Sequence, residues 1–402
     1  MVACDLPLTE HFSALDQLLT CYGEFWLCQP FHWRDLCWRH SHPELCTALD
    51  ELTLSHLQAM EEMPCRVQWL APWLAHLPDL LMLCSIVQRQ PELPALPASM
   101  AAFIPGRKWQ QIRHFEAATG EFGLPFLEWC AGKGHLGRVL AWRRDVEVES
   151  LEWQSALCAD GRALAQKQRV RQQFHCADAF AASSASLLRA EQHAVALHAC
   201  GDLHVALLRQ GVAAGVRAVT ISPCCYHLIR DSQYQPLSQA GQASRLQLSR
   251  NTLRLAAQET VTAGARERRL RDIELRWRLA FDLLQRAWRG EDSYLPLPTL
   301  PGQLLTGDFA TFVAWALERK GLAVARPSQQ VLSQALCQAE ARVPVVARME
   351  WVRHLFRRPL ELWLVLDRAL YLQEQGYQVS ISEFCGRALT PRNLLLEAWR
   401  AR

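Results

Sequence analysis

The sequence predicts an α/β fold: a doubly wound, Rossmann-like sheet accompanied by purely helical segments. Three observations carry that prediction. From Pro125 to about residue 221, short apolar runs alternate with helix-period segments, the pattern of parallel strands joined by crossover helices. The first run, residues 124–128, ends in Glu128 and leads into the glycine turn Gly132-Lys133-Gly134. The second and third runs deliver acids in their turn, Glu152 and Asp178.

The bulk numbers bound the rest. At 402 residues, with 50% apolar and 21% charged side chains, the chain buries a large core and divides into two or three domains. No apolar run approaches the ~20 residues needed to span a bilayer. The first ten residues lack the basic start and long apolar core of a secretion signal, so a cytoplasmic protein with no membrane association is expected. Fifteen cysteines with no C-x-x-C pair read as reduced thiols. A net charge of +3 says little about partners.

Residues 1–98 are expected to form an N-terminal helical region, since leucines recur at helical spacing and no strand pattern interrupts them. Cys28, His32, Cys37 and His40 match no zinc spacing, which favours core packing. Pro91, Pro94, Pro97 and Pro105 mark a linker. A helix then opens near Gly106, and its Lys108 either reaches a phosphate or carboxylate of a bound molecule or belongs to a solvated helix start.

Residues 99–240 are expected to form the Rossmann-like core. Left-handed backbone and close ligand approach both call for glycine, so Gly132 and Gly134, with Cys130 before them, read as a cradle. Taken alone, Gly132 to Gly137 fits a dinucleotide fingerprint, but Glu128 stands where the ammonium group of an amino-acid-bearing nucleoside needs a carboxylate. Glu152 closes the second strand, 18 residues after Gly134, where an acid accepts both ribose hydroxyls. Asp178 follows the third strand, placed for an exocyclic adenine amine, with Ala179 against the ring. The fourth strand, residues 194–197, runs into His198, Cys200 and Asp202; the fifth, residues 218–221, runs into Cys224, Cys225, Tyr226 and His227. Zinc ligation by His198, Cys200, Cys224, Cys225 and His227 is disfavoured, because adjacent cysteines on extended backbone point apart.

Residues 241–350 interrupt the alternation as a helical, arginine-rich insertion, with eleven arginines between Arg245 and Arg289. They either hold an RNA backbone or, with acids interleaved at 259, 267, 272 and 274, form solvated helix faces. Residues 351–402 return to the α/β pattern as a last helix, closed by Gly376, and a β-hairpin that completes the sheet.

These residues carry a resemblance. The sheet is similar to that of class I S-adenosylmethionine-dependent methyltransferases, with Cys130 at the family's first glycine. More narrowly, Gly132 to Leu136, His198 to Leu203, Cys224 to Leu228, Leu366-Asp367-Arg368 and Thr390 to Asn393 resemble the methyltransferase-like 25 group. The match covers residues 100–235 and 355–400. It implies S-adenosylmethionine as cofactor, held by Glu128, Cys130, Gly132, Gly134, Glu152, Asp178, Ala179 and His198. The acceptor is then expected near Lys108, Cys224, Cys225, Arg392 and Asn393, with His227 as base, Asp202 orienting it and Tyr226 stacking or donating a hydrogen bond. The Cys-Cys-Tyr-His stretch is also similar to one in tRNA ribose methyltransferases, which makes RNA the leading substrate class. A protein or small-molecule methyltransferase and a non-catalytic binding protein are the alternatives.

Overall fold

The computed structural model describes residues 4–258 and 264–401; the acid at 259 lies outside them. The chain divides into two compact units, one formed by residues 4–21, 79–258 and 357–401, the other by 22–78 and 264–356. Among the described residues no helix is long and apolar enough to cross a membrane.

The first unit is built on a seven-stranded sheet: β1 (Phe126–Trp129), β2 (Val148–Glu152), β3 (Gln172–Cys176), β4 (His193–Cys200), β5 (Ala218–Cys224), β6 (Gln378–Glu383) and β7 (Leu394–Trp399). Its order is β3-β2-β1-β4-β5-β7-β6. The first five strands are parallel, and β7 is antiparallel to both β5 and β6. Every residue of β1 and β5 is buried, as strands covered on both faces require. Ile112 and Phe115 from the helix Gly106–Ala118, and Leu136, Val139 and Leu140 from the helix His135–Arg144, pack with Phe126, Val148, Val195 and Leu395 of the sheet. Full burial of each such side chain is worth roughly 1.5–3 kcal/mol. The sheet order reverses between β1 and β4, and ligands of open α/β sheets bind beyond the strand ends at such a switch point.

Two strands run further than expected. β4 continues past Leu197 through a bulge to Cys200, with His198 at φ +70°, and β5 continues through Pro223 to Cys224. The domain boundaries also need correction. The expected N-terminal region 1–98 is split: the helix Leu8–Cys21 packs on the helix Arg357–Glu374 of the sheet unit, whereas residues 22–78 belong with 264–356. Likewise 241–258, assigned to the insertion, belong to the sheet unit.

The second unit is helical, centred on Ala265–Arg289 and Gln329–Arg353. Leu279, Phe281, Phe312, Ala339 and Val346 form its core. At its centre the buried carboxylate of Asp282 accepts from Arg286 Nε at 3.0 Å and Arg342 Nη1 at 2.7 Å. Several arginines of the basic helix are paired rather than free: Arg271 with Glu267, Arg276 with Glu340 and Arg278 with Glu274.

Candidate active site

The site begins where β1 ends. Cys130, Gly132 and Gly134 all take positive φ, at 57°, 59° and 63°, so the chain folds back within five residues and delivers the 135–144 helix N-terminus. The Ala131 amide donates to the Leu151 carbonyl at 2.9 Å, tying the turn to β2. Glycine is demanded at Gly134 twice over. Beside its left-handed backbone, a Cβ would fall 2.3 Å from Gln172 Nε2 and 2.4 Å from Phe174 Cζ. At Gly132 nothing lies within 4 Å of that position, so the turn is open there.

Two of the expected carboxylates stand at this turn. Glu152 accepts from the Gly132 amide at 2.9 Å and the Gln154 amide at 3.0 Å. Exposed Asp178 accepts from the Phe180 amide at 2.9 Å. Burial first, then the nearby charges of Glu152, Cys200 and Asp178, push the Cys130 thiol up to about 12. Ala179 is buried, and its carbonyl accepts from Gln210 at 3.0 Å. The ring exposed beside it is Phe180, under the Arg230 guanidinium at 5.1 Å. His198 is held by Gln111 at 3.0 Å, and Lys108 is exposed on the same helix as Gln111.

Glu128 needs a correction. Its carboxylate is not presented to an ammonium group but buried beneath the turn, 4% exposed, accepting from Ser150 at 2.9 Å and Gln172 at 3.4 Å. Burial raises it to about 7 against hydrogen bonds from Ser150 and the Gly137 amide. Between roughly pH 4.5 and 7 the folded state therefore keeps a proton that the unfolded chain has lost, and stability falls as pH rises through that window. Glu128→Gln, which retains an acceptor oxygen, is expected to gain up to about 3 kcal/mol over wild type at pH 8 and little at pH 4.5. Urea denaturation at the two pH values checks this; an equal difference at both contradicts it.

The other side of the mouth is formed by the segments after β4 and β5. Gly201 donates to the Cys224 carbonyl at 3.0 Å, and Asp202 accepts from the Arg230 amide at 2.6 Å. Asp202 thus holds the loop and is not hydrogen-bonded to His227; the expected pair is not formed. Tyr226 is likewise corrected. Only 1% exposed, it donates to the Pro223 carbonyl at 3.3 Å and lies under Arg368, so it cannot stack on a substrate. Asn393 is fully buried, donating to the Cys385 carbonyl at 2.8 Å, and is no substrate ligand. Arg392 is partly exposed, 3.7 Å from Glu361.

The adjacent cysteines do not point apart. Cys225 is left-handed at φ +48°, which breaks strand alternation, and the sulfurs of Cys200, Cys224 and Cys225 lie within 4.8 Å of one another. Hydrogen bonds from Cys200 and Cys224 favour the thiolate at Cys225. Among the described residues this is the one cluster of three or more His, Cys, Asp or Glu ligands; Cys28, His32, Cys37 and His40 form none.

The sequence marks Asp367 and Arg368 only as part of a motif and assigns them no role, yet they hold the two loops. Asp367, in the 357–374 helix, accepts from Tyr234 Oη at 2.6 Å, the Leu237 and Ser238 amides at 2.9 Å each, and Ser238 Oγ at 2.7 Å. Arg368 donates to His204 Nε2 at 2.8 Å, and the other ring nitrogen of His204 meets the Ala199 carbonyl at 3.0 Å. One helix thereby clamps the segments after both β4 and β5. An acid–base pair inside the apolar run LWLVLDRALYL was the available signal. Ser150 and Gln172, which seat Glu128, carried none.

A glycine turn after β1, carboxylates closing β2 and following β3, and an antiparallel β7 inserted beside β5 define the fold of a class I methyltransferase. Residues 107–232 match a family model described as a methyltransferase domain. Among solved structures the chain is similar to the bifunctional kinase-methyltransferase WbdD, at 16% identity over 24% of this chain and 23% of that one, with a TM-score of 0.20. It is also similar to an rRNA methylase from Streptococcus thermophilus, at 10% identity over 30% and 72% of the two chains, TM-score 0.22. A third is an S-adenosylmethionine-dependent methyltransferase from Clostridium acetobutylicum, at 13% identity over 30% and 52%, TM-score 0.22. The chain thus covers only 23–31% of the WbdD chains it matches. It carries a methyltransferase domain of the S-adenosylmethionine-dependent class.

Proposed function

We propose that this protein is a cytoplasmic S-adenosylmethionine-dependent RNA methyltransferase, a relative of the methyltransferase-like 25 group. Bound at the glycine turn, the cofactor supplies a methyl group on a sulfonium. The chain's own task is to align an acceptor and take its proton. Gly132 leaves space for the ligand and Glu152 is the ribose acceptor, with Asp178 placed for the adenine edge. Glu128 shores up the turn from beneath.

His227 is the proposed base. The observation that carries RNA as the acceptor is the company it keeps: burial first, then the nearby charges of Arg254 and Arg392, hold His227 below the usual imidazole range, and Arg230 is exposed on the same loop. Cations grouped around a proton acceptor suit a polyanion whose sugar or base must be brought to it. The test is the modified-nucleoside profile of a deletion strain, followed by restoration with purified protein. One missing nucleoside, restored by wild type, is expected. An unchanged profile in every RNA species contradicts the reading. His227→Ala is expected to lower the transfer rate by roughly 10²–10⁴-fold while leaving cofactor affinity within about twofold; a rate within about threefold of wild type removes His227 from the reaction.

A second reading, a small-molecule acceptor, is supported by a cavity of about 260 Å³ lined by Phe180, Asp202, Arg209, Arg230 and Tyr234. Methyl transfer that survives RNase treatment of the extract favours it.

A further inference from the structure

We infer that Cys200, Cys224 and Cys225 form a three-thiolate site for a thiophilic divalent ion of the zinc class. The backbone brings the three together from two strands. Cys200 and Cys224 are register partners on β4 and β5 beyond the bulge, and their sulfurs are 3.6 Å apart. A further extended residue would carry its side chain to the opposite face, but the left-handed Cys225 turns its sulfur back, and all three lie within 4.8 Å of one another. Tetrahedral zinc with bonds of about 2.3 Å holds its sulfurs about 3.8 Å apart. The observed pair is already at that separation, and the third sulfur needs to move by no more than roughly 1 Å to reach it.

The surroundings suit an ion. Cys224 is buried, and Cys200 and Cys225 are partly exposed, so the cluster is shielded but reachable. Every cysteine of the chain is a free thiol, leaving all three sulfurs available as ligands. His227, two residues beyond Cys225, has a buried Nδ1 with no hydrogen-bond partner but stands outside the cluster. Sulfur ligands select zinc-class ions over magnesium or calcium. Binding releases to solvent the protons the thiols carry. Three protein ligands leave a fourth position for a donor from outside the triad, as in sites that meet a substrate, and this one lies at the strand ends where the acceptor must approach. The inference does not depend on which molecule is methylated.

The test uses the full-length protein, purified without chelator. Elemental analysis is expected to find about one zinc per chain, and titration with Co(II) an intense sulfur-to-cobalt charge-transfer band. Cys200→Ser and Cys225→Ser are each expected to weaken Co(II) binding by at least about a hundredfold, while Cys65→Ser and Cys337→Ser leave it unchanged. Because a triad variant that misfolds also loses the ion, alkylation of wild type is mapped by mass spectrometry with zinc and after chelation. Cys200 and Cys225, both partly exposed, should be protected by the metal and react once it is stripped. A cobalt complex without thiolate charge transfer overturns the inference. So does a protection pattern indifferent to the chelator, or protection reversed only by a thiol reductant, which identifies a disulfide instead.

Discussion

Replacing Gly201 by alanine is expected to destabilise the sheet unit by about 3 kcal/mol or more, among the largest effects of any single methyl group in the chain. Gly201 sits at φ +57°, ψ −126°, a backbone region that side chains rarely enter. A Cβ there would fall 2.1 Å from the Leu228 carbonyl oxygen and 2.6 Å from its carbon. Those are backbone atoms, so no rotamer change relieves the clash. Relief requires moving the loop after β5, and that breaks the bonds between Gly201 and Cys224, Asp202 and Leu228, and Asp202 and Arg230. Urea denaturation measures the loss. A cost below about 1 kcal/mol would mean that the two loops are not in the contact described.

Asp367→Ala is the second large effect, with an expected loss of about 3–5 kcal/mol. Its fully buried carboxylate satisfies Tyr234, Leu237 and Ser238 from one point. Removing it strands those donors without water and frees Tyr234, whose hydroxyl also accepts from the buried Arg368 Nη1 at 3.1 Å. Hydrogen bonds to a buried charge are costly to leave unmade. Asp367→Asn keeps the volume and one acceptor, so it is expected to lose less. The comparison of the two variants by denaturation separates lost charge from lost packing. Equal, small losses would show that the 357–374 helix is held without this anchor.

Both effects arise from features that local pattern reading does not reach. The strands β1 to β3, the last helix and the final hairpin were legible because period-2 and period-3.6 runs met at glycine or acidic boundaries. The ends of β4 and β5 were not, since His198 to Cys200 and Ser222 to Cys224 carry polar residues and a proline without alternation. Domain division failed for a different reason. Helical periodicity gives a helix its apolar face but not its partner, and what joins residues 22–78 to 264–356 is contact across about three hundred residues, such as Arg342 to the Trp33 carbonyl and Arg353 to that of Trp26.

At the site, residue types were legible and side-chain directions were not. Glu128 was read as a ligand group because acids at strand ends face ligands; Ser150 and Gln172 instead draw it under the turn. Tyr226 and Asn393 were marked by motif and proved to be buried supports. Cys224 and Cys225 were assigned to opposite faces by the rule for extended backbone, and one left-handed residue reversed that.

The central proposal for the site is a nucleoside cofactor lying across the Gly132 turn with Glu152 on its ribose. Calorimetric titration of S-adenosylhomocysteine into wild type and Glu152→Ala tests it most directly. Saturable one-site binding by wild type, weakened at least about tenfold in the variant, or roughly 1.4 kcal/mol, is the expected result. No binding by wild type, or equal affinity in the two proteins, would contradict it.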